Sequence, residues 1–317
     1  MNRLGIGLAA VARPAYITSG RGADLGAHRA VGDLRERTYA VLDAAYDAGV
    51  RYVDVARSYG RAEEFLAGWL AAHPAADDVE VGSKWGYRYV GDWRRDAEVH
   101  EVKDHSAAAF AEQVAESAAL LGDRLRRYHV HSATLQTGVL DDVAVHRALA
   151  GLRERGVRVG LSTSGPEQAA TVRRALEVVV DGAPLFTSVQ STWNVLETSV
   201  GTALAEAAAA GAQVIVKEPV ANGRLAPGGA DPADERATRA AALASDLGVP
   251  VDQLAIAAAM AQPWAWCVLS GAVHPDQVRS NAAATALTVP PDLLDELTAL
   301  AEPPVGYWAA RSARPWS

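Results

Sequence analysis

The stretch Thr38-Tyr-Ala-Val-Leu-Asp-Ala-Ala-Tyr-Asp-Ala-Gly49-Val-Arg-Tyr52-Val-Asp54-Val-Ala56 carries two periodicities in succession. From Thr38 to Ala48 the apolar residues Val41, Leu42, Ala45 and Tyr46 fall on one face, the spacing of an amphipathic helix. Gly49 ends it, because glycine takes a positive φ past the last helical turn without steric cost. The run Tyr52–Ala56 then reads as a short strand.

The same grammar repeats in both directions. Helical segments Phe110–Leu121, Val143–Arg155 and Val200–Ala210 stop at Gly122, Gly156 and Gly211. Strand runs fall at Leu4–Leu8, Tyr52–Ala56, Val79–Lys84, Tyr128–His131, Val157–Ser162, Phe186–Gln190, Val214–Lys217 and Cys267–Ser270. Eight strands, each followed by a helix, predict an α/β chain closed into a (β/α)8 TIM barrel. An open dinucleotide-binding sheet would place G-x-G-x-x-G after the first strand, and Gly5 and Gly7 do not give that spacing. A length of 317 residues would allow two domains, but no linker or composition break divides the chain, so residues 1–317 read as one. Two long loops, Ala12–Gly32 and the aromatic-rich Trp85–His105, belong on the rim where barrels bind substrates.

Thirty basic residues against 38 acidic ones give a net charge of −8, which leaves no cationic surplus for nucleic acid or an anionic membrane. The longest apolar run, Leu254–Leu269, falls short of the roughly 20 residues a bilayer requires. The single cysteine, Cys267, rules out a disulfide framework and fits a reducing cytoplasm. No His, Cys or Asp grouping has metal-ligand spacing, so no metal is expected. Only three of the 30 basic residues are lysine: Lys84, Lys103 and Lys217. Where arginine is the default cation, a lysine marks a place arginine would not serve.

Asp54 lies in the second strand, Lys84 closes the third and His131 closes the fourth, while Tyr59 follows the second strand in Asp54-Val-Ala-Arg-Ser-Tyr59-Gly60. A barrel would gather all four on one rim. Together they form a proton-donor set: the ammonium of Lys84 would lower the Tyr59 pKa, Asp54 would hold Lys84 charged, and His131 would hydrogen-bond a substrate oxygen. None is an evident nucleophile, so the expected chemistry polarises a carbonyl while something else attacks it. His129, on the same face as His131, reads as an interior histidine.

These segments, with Gly82-Ser-Lys84 and Tyr128-His-Val-His131, resemble the tetrad segments of the aldo-keto reductase family. Further similar stretches are Gly160-Leu-Ser162-Thr163, Val189-Gln190, Trp193-Asn194, Pro219 to Leu225, and Ser270-Gly271 through Asn281. The resemblance implies a (β/α)8 barrel that binds an extended nicotinamide dinucleotide without a Rossmann motif. It also implies reversible hydride transfer to an aldehyde or ketone. Tyr59 would be the acid/base, tuned by Lys84 and Asp54. Ser162 and Gln190 would hold the carboxamide, beside Thr163 in place of the usual asparagine. Gly223 and Arg224 would cover the pyrophosphate. Gly271, Gln277, Arg279 and Asn281 would meet the adenosine phosphate, with Pro275 starting a helix whose N–H groups favour an anion.

Three departures from the pattern stand out. Lys217-Glu218-Pro219-Val220 replaces an aromatic run beneath the nicotinamide, leaving Lys217 to pair with Glu218 or meet a substrate anion. Gly271 and Gln277 occupy places where many members carry the lysine and arginine that bind a 2′-phosphate. Arg279 could substitute, so NADP(H) is expected ahead of NAD(H). Ser132-Ala133-Thr134 after His131 alters a substrate wall. The expected enzyme is thus an NADP-dependent reductase or alcohol or sugar dehydrogenase, acting on a small carbonyl compound in the cytoplasm; its oligomeric state is not written in the sequence, and the resemblance favours a monomer. The alternatives are a nucleotide-binding regulatory subunit and a Schiff-base lyase or aldolase using Lys84 or Lys217.

Overall fold

The computed structural model describes residues 3–16, 24, 26, 28–229, 231–314 and 316. The expected loop Ala12–Gly32 therefore lies partly outside the described residues. Eight parallel strands close on themselves. They are β1 (Leu4–Gly7), β2 (Tyr52–Asp54), β3 (Glu80–Trp85), β4 (Leu125–Ala133), β5 (Arg158–Thr163), β6 (Ser188–Thr192), β7 (Gln213–Lys217) and β8 (Ala265–Ser270). Each pairs with its sequence neighbours, and β1 pairs with β8, which is the (β/α)8 barrel.

Alternation along the strands sorts the side chains. Val53, Val81, Val130, Leu161, Val189, Val214 and Val216 are buried in the core shared with the helices. The alternate positions Tyr52 and Asp54, Gly82 and Lys84, His129 and His131, Gly160 and Ser162, Ser188 and Gln190 meet across the barrel interior. The floor is filled by Tyr52, Cys267 and Leu269, with Arg127 lying 5.0 Å over the Tyr52 ring. The glycines are the complement of this filling. A Cβ at Gly82 would stand 2.1 Å from the Tyr52 hydroxyl, and one at Gly160 would stand 2.3 Å from the Ser188 carbonyl oxygen. Gly49, Gly122, Gly156 and Gly211 all take positive φ at helix ends, as their places in the sequence require.

Several elements differ from the sequence reading. β4 is longer than Tyr128–His131 and carries a register shift before Ala133, with Ser132 at a φ of 51°. The Trp85–His105 loop contains an antiparallel hairpin pairing Tyr87–Tyr89 with Glu101–Lys103. Beyond the last strand, helices Pro275–Ala283, Pro291–Thr298 and Pro304–Ser312 complete the chain, each started by a proline whose missing N–H is no loss there.

Candidate active site

Asp54, Lys84 and His131 come from three consecutive strands at positions of the same parity, so they converge at one mouth. Lys84 is 1% exposed, and its Nζ donates to Asp54 Oδ2 at 2.5 Å and to the Val55 carbonyl at 2.8 Å. The other carboxylate oxygen of Asp54 accepts from Gln190 Nε2 at 2.8 Å. Tyr59 hangs over this pair from the loop after β2, with Lys84 Nζ 4.8 Å from its ring centre. Its hydroxyl lies 3.4 Å from His131 Nε2, while Ser58 Oγ lies 3.4 Å from His131 Nδ1. All four expected tetrad residues are therefore brought together.

The electrostatics correct one expectation. Burial is the largest influence on Tyr59 and raises its pKa well above the ordinary phenol value, and the Asp54 carboxylate raises it further. Lys84 is itself pushed down by burial, against the pull of Asp54. The cation that opposes the rise at Tyr59 is Arg13. Its guanidinium is 3% exposed, lies 5.0 Å over the Tyr59 ring and 4.8 Å over each of Tyr16 and Trp316, and pairs with Glu101 at 2.8 Å. His131 is driven well below its usual value by burial and then by Lys84 and Arg13, so it is a neutral imidazole. His129 is buried and shares a 2.9 Å hydrogen bond with Ser188 Oγ, as an interior histidine should.

A cleft of about 330 Å³ runs from Tyr59 and His131 across the barrel mouth to Gln277 and Asn281. Ser162, Gln190, Lys217, Gly223, Gly271, Gln277 and Asn281 line it as expected. Thr163, Arg224 and Arg279 are not among its lining residues. Thr163 is buried behind the wall, bonded to Ser191 Oγ at 2.7 Å. Arg224 is engaged by Asp234 at 2.7 Å and Glu302 at 2.6 Å, and Arg279 pairs with Asp276 on the surface. Lys217 donates to Thr192 Oγ1 at 2.6 Å and lies 3.8 Å from Glu218, whose carboxylate is clasped by Arg311. Burial lowers the Lys217 pKa to about 8. The wall around it is strained: Glu218, Ala221 and Asn222 all have positive φ, a conformation held only where packing over-determines it.

A model of the aldo/keto reductase family matches residues 29–302. This chain belongs to that family. It is 29% identical over 298 residues to a D-threo-aldose 1-dehydrogenase of a Pseudomonas species, covering 85% of this chain and 88% of the relative. A holo-form aldo-keto reductase of Bacillus halodurans superposes with a TM-score of 0.68 at 20% identity, over 95% of this chain and 92% of that one. A Pseudomonas aeruginosa protein assigned to the same family gives 0.61 at 23% identity, over 90% and 89%. At these identities the structural likeness speaks for the barrel alone.

An aldo/keto reductase uses a nicotinamide cofactor, and the cleft can be tested for one. Its proton-donor set stands at one end. At the other, Asp252 is 5% exposed and lines the cleft, yet one of its carboxylate oxygens is buried with no partner. Such an atom is costly unless a donor fills it. Gly271 offers open space where a side chain would intrude. An elongated ligand carrying hydroxyls or amines at its far end would supply the donor that the Asp252 carboxylate oxygen lacks. Arg13, Tyr16, Arg311 and Asp252 are among the cleft residues that the sequence reading missed, while Glu218 was foreseen only as a partner for Lys217.

Proposed function

We propose that this chain is an oxidoreductase that moves a hydride between a nicotinamide cofactor and the carbonyl carbon of an aldehyde or ketone, or the corresponding alcohol or sugar. The bound nicotinamide supplies the hydride or accepts it. The protein's own residues handle the oxygen. Neutral His131 donates a hydrogen bond that orients it, and the Tyr59 hydroxyl delivers or removes its proton. Lys84, fixed between Asp54 and Val55, keeps the floor beneath the phenol polar and rigid. Ser162, Gln190, Gly223, Gly271, Gln277 and Asn281 line the remainder of the cleft and would hold the cofactor.

The observation that carries this reading is the 3.4 Å approach of the Tyr59 hydroxyl to a neutral His131 above the buried Lys84–Asp54 pair. A phenol kept protonated at neutral pH is suited to donate a proton to a developing alkoxide. The aldose dehydrogenase relative points to sugars as the substrate class. The aromatic edges of Tyr87 and Trp316 and the carboxylates of Glu101 and Glu218 around the mouth suit an apolar-faced polyol. In this reading the chain works alone on a small molecule in the cytoplasm, as a monomer. Among the described residues no single helix is long and apolar enough to cross a membrane.

Replacing Tyr59 by Phe tests the proposal. Turnover should fall by ~10²–10⁴ while cofactor affinity is unchanged. Full turnover in that variant would remove Tyr59 from the chemistry. A Schiff-base reading has one observation in its favour, the lowered pKa of Lys217 in the cleft wall. Borohydride treatment in the presence of an aldose should leave Lys217 unmodified if hydride transfer is the reaction.

A further inference from the structure

Asp54, Lys84 and His131 stand on strands, where the ladder fixes them. Tyr59 does not. It lies past the end of β2, in the loop that leads into helix Ala62–Ala72. Where the phenol stands therefore depends on what holds that loop. Its first part is laced to β3, by the Val55 N–H to the Gly82 carbonyl at 2.9 Å and by the Arg57 N–H to the Lys84 carbonyl at 3.1 Å. Beyond Arg57 the Tyr59 N–H turns back to the Ala56 carbonyl at 3.1 Å, and the Arg61 N–H reaches the Ala12 carbonyl at 3.3 Å.

The Arg57 side chain supplies a further hold. One of its terminal nitrogens donates to Glu63 Oε2 at 2.5 Å, and its fork reaches Glu116 Oε2 at 2.7 and 2.9 Å. Glu63 is 1% exposed. Its other oxygen, Oε1, accepts from Ser83 Oγ at 2.5 Å and from Ser117 Oγ at 2.7 Å. One buried carboxylate thus meets the loop that carries Tyr59, the residue before Lys84 on β3, and helix Ala107–Leu121. Ser83 and Lys84 have opposite parity, so the hydroxyl faces the helices while the amine faces the barrel interior. The charge of Glu63 is also felt at Lys84: burial lowers the amine's pKa, Asp54 resists, and Glu63 adds to that resistance. Arg57, Glu63, Ser83 and Ser117 are not among the residues lining the cleft. A buried ion pair is weak evidence for added stability, because desolvation consumes most of its attraction. What this one does fix is geometry.

We propose that Glu63 is a positioning residue for proton transfer: through Arg57 and Ser83 its carboxylate ties the Tyr59 loop to the strand that carries Lys84, and so sets where the phenol stands against Lys84 and His131. The role rests on the hydride-transfer reading above, with Tyr59 as the acid. Glu63 touches neither substrate nor cofactor, and acts by keeping the Tyr59 hydroxyl within reach of the oxygen it protonates.

Glu63→Gln keeps the shape of the side chain and removes the charge that Arg57 pairs with. Its kcat should fall about tenfold or more, since a small misplacement of a reacting group is costly, while the NADH and NADPH affinities read from tryptophan fluorescence stay at the parent values. In a Tyr59→Phe background the same substitution should cost nothing further, because a residue that acts through the Tyr59 hydroxyl then has nothing left to place. Arg57→Lys retains the charge but lacks the fork that spans Glu63 and Glu116, and should give the same split and the same non-additivity. It carries the test where Glu63→Gln does not fold. Parent-level kcat in a folded variant, an equal loss with and without the Tyr59 hydroxyl, or a loss of cofactor affinity in place of kcat would overturn the proposal and leave the hydride-transfer reading standing. Full turnover in Tyr59→Phe alone would overturn both.

Discussion

Tyr59 is raised by its burial and by Asp54, and Arg13 lying over its ring is the group that works the other way. Arg13→Met should therefore move the alkaline limb of the kcat/KM profile for carbonyl reduction to higher pH, since the phenol would hold its proton longer. Glu101→Gln removes a negative charge acting on the same phenol and should move that limb to lower pH. Displacement of both limbs in one direction would refute this division of roles. Lys217 makes a different kind of prediction. Its pKa falls from 10.5 to about 8 in the fold, so between those values the unfolded chain binds more protons. The cost, on the order of 3 kcal/mol, is complete below about pH 8 and fades as pH rises towards 10.5. Lys217→Met should melt at a higher temperature than the parent at pH 7, with the gap closing in alkaline buffer. The tetrad was legible because strand ends and the D-x4-Y spacing are sequence features. Arg13 and Asp252 were not, because their roles depend on which distant side chains lie next to them: Tyr59 and Glu101 beside Arg13, Ser280 and Asn281 beside Asp252.

At the scale of strands, the site exists because parity is kept across parallel neighbours. Asp54, Lys84, His131, Ser162 and Gln190 are each the inward member at a strand's carboxyl end, and the glycines two residues before Lys84 and Ser162 make room for Tyr52 and His129. Gly82→Ala should lower the denaturant midpoint by an amount equivalent to ~1–3 kcal/mol, since its Cβ meets the Tyr52 ring. Tyr52→Phe should restore part of it, because the hydroxyl it removes is buried with no partner. Gly160→Ala meets a backbone carbonyl and no side-chain exchange should rescue it. Strand positions were readable to within a few residues from apolar runs. The bulge at Ser132 was not, since a serine at positive φ carries no compositional mark. Its amide donates to Ser162 Oγ at 2.8 Å, stitching β4 to β5 beside His131.

Over the whole molecule, the barrel closes through β1 and β8, and the last helix returns across the mouth. Its Arg311 clasps the buried Glu218, and Tyr307 accepts from Asn194 Nδ2 at 3.0 Å. Glu218 is held far below its usual range, first against burial, by Arg311 and Lys217, so its contribution to stability is present above about pH 4.5 and is lost as the solution is acidified. Arg311→Met should cost ~3–5 kcal/mol at pH 7 by stranding that carboxylate, and should flatten the acid limb of the stability curve. An unchanged midpoint in urea would show the clasp to be ornamental. The closed barrel was foreseeable from alternating periods. The returning helix was not, because its docking rests on partners distant in the sequence: Glu218 for Arg311, Asn194 for Tyr307, and the core into which Tyr307 and Trp308 are buried.

The scarcity of lysine has a practical consequence. Lys84 is sealed beneath Tyr59, while Lys103 donates to the Ser132 carbonyl at 2.9 Å and Lys217 lines the cleft. Apart from the amino terminus, a resin activated for primary amines would find its anchors only around the entrance. Immobilised that way, the catalyst would sit face down on the matrix with its substrates shut out. Coupling through the plentiful surface carboxylates would leave the entrance open.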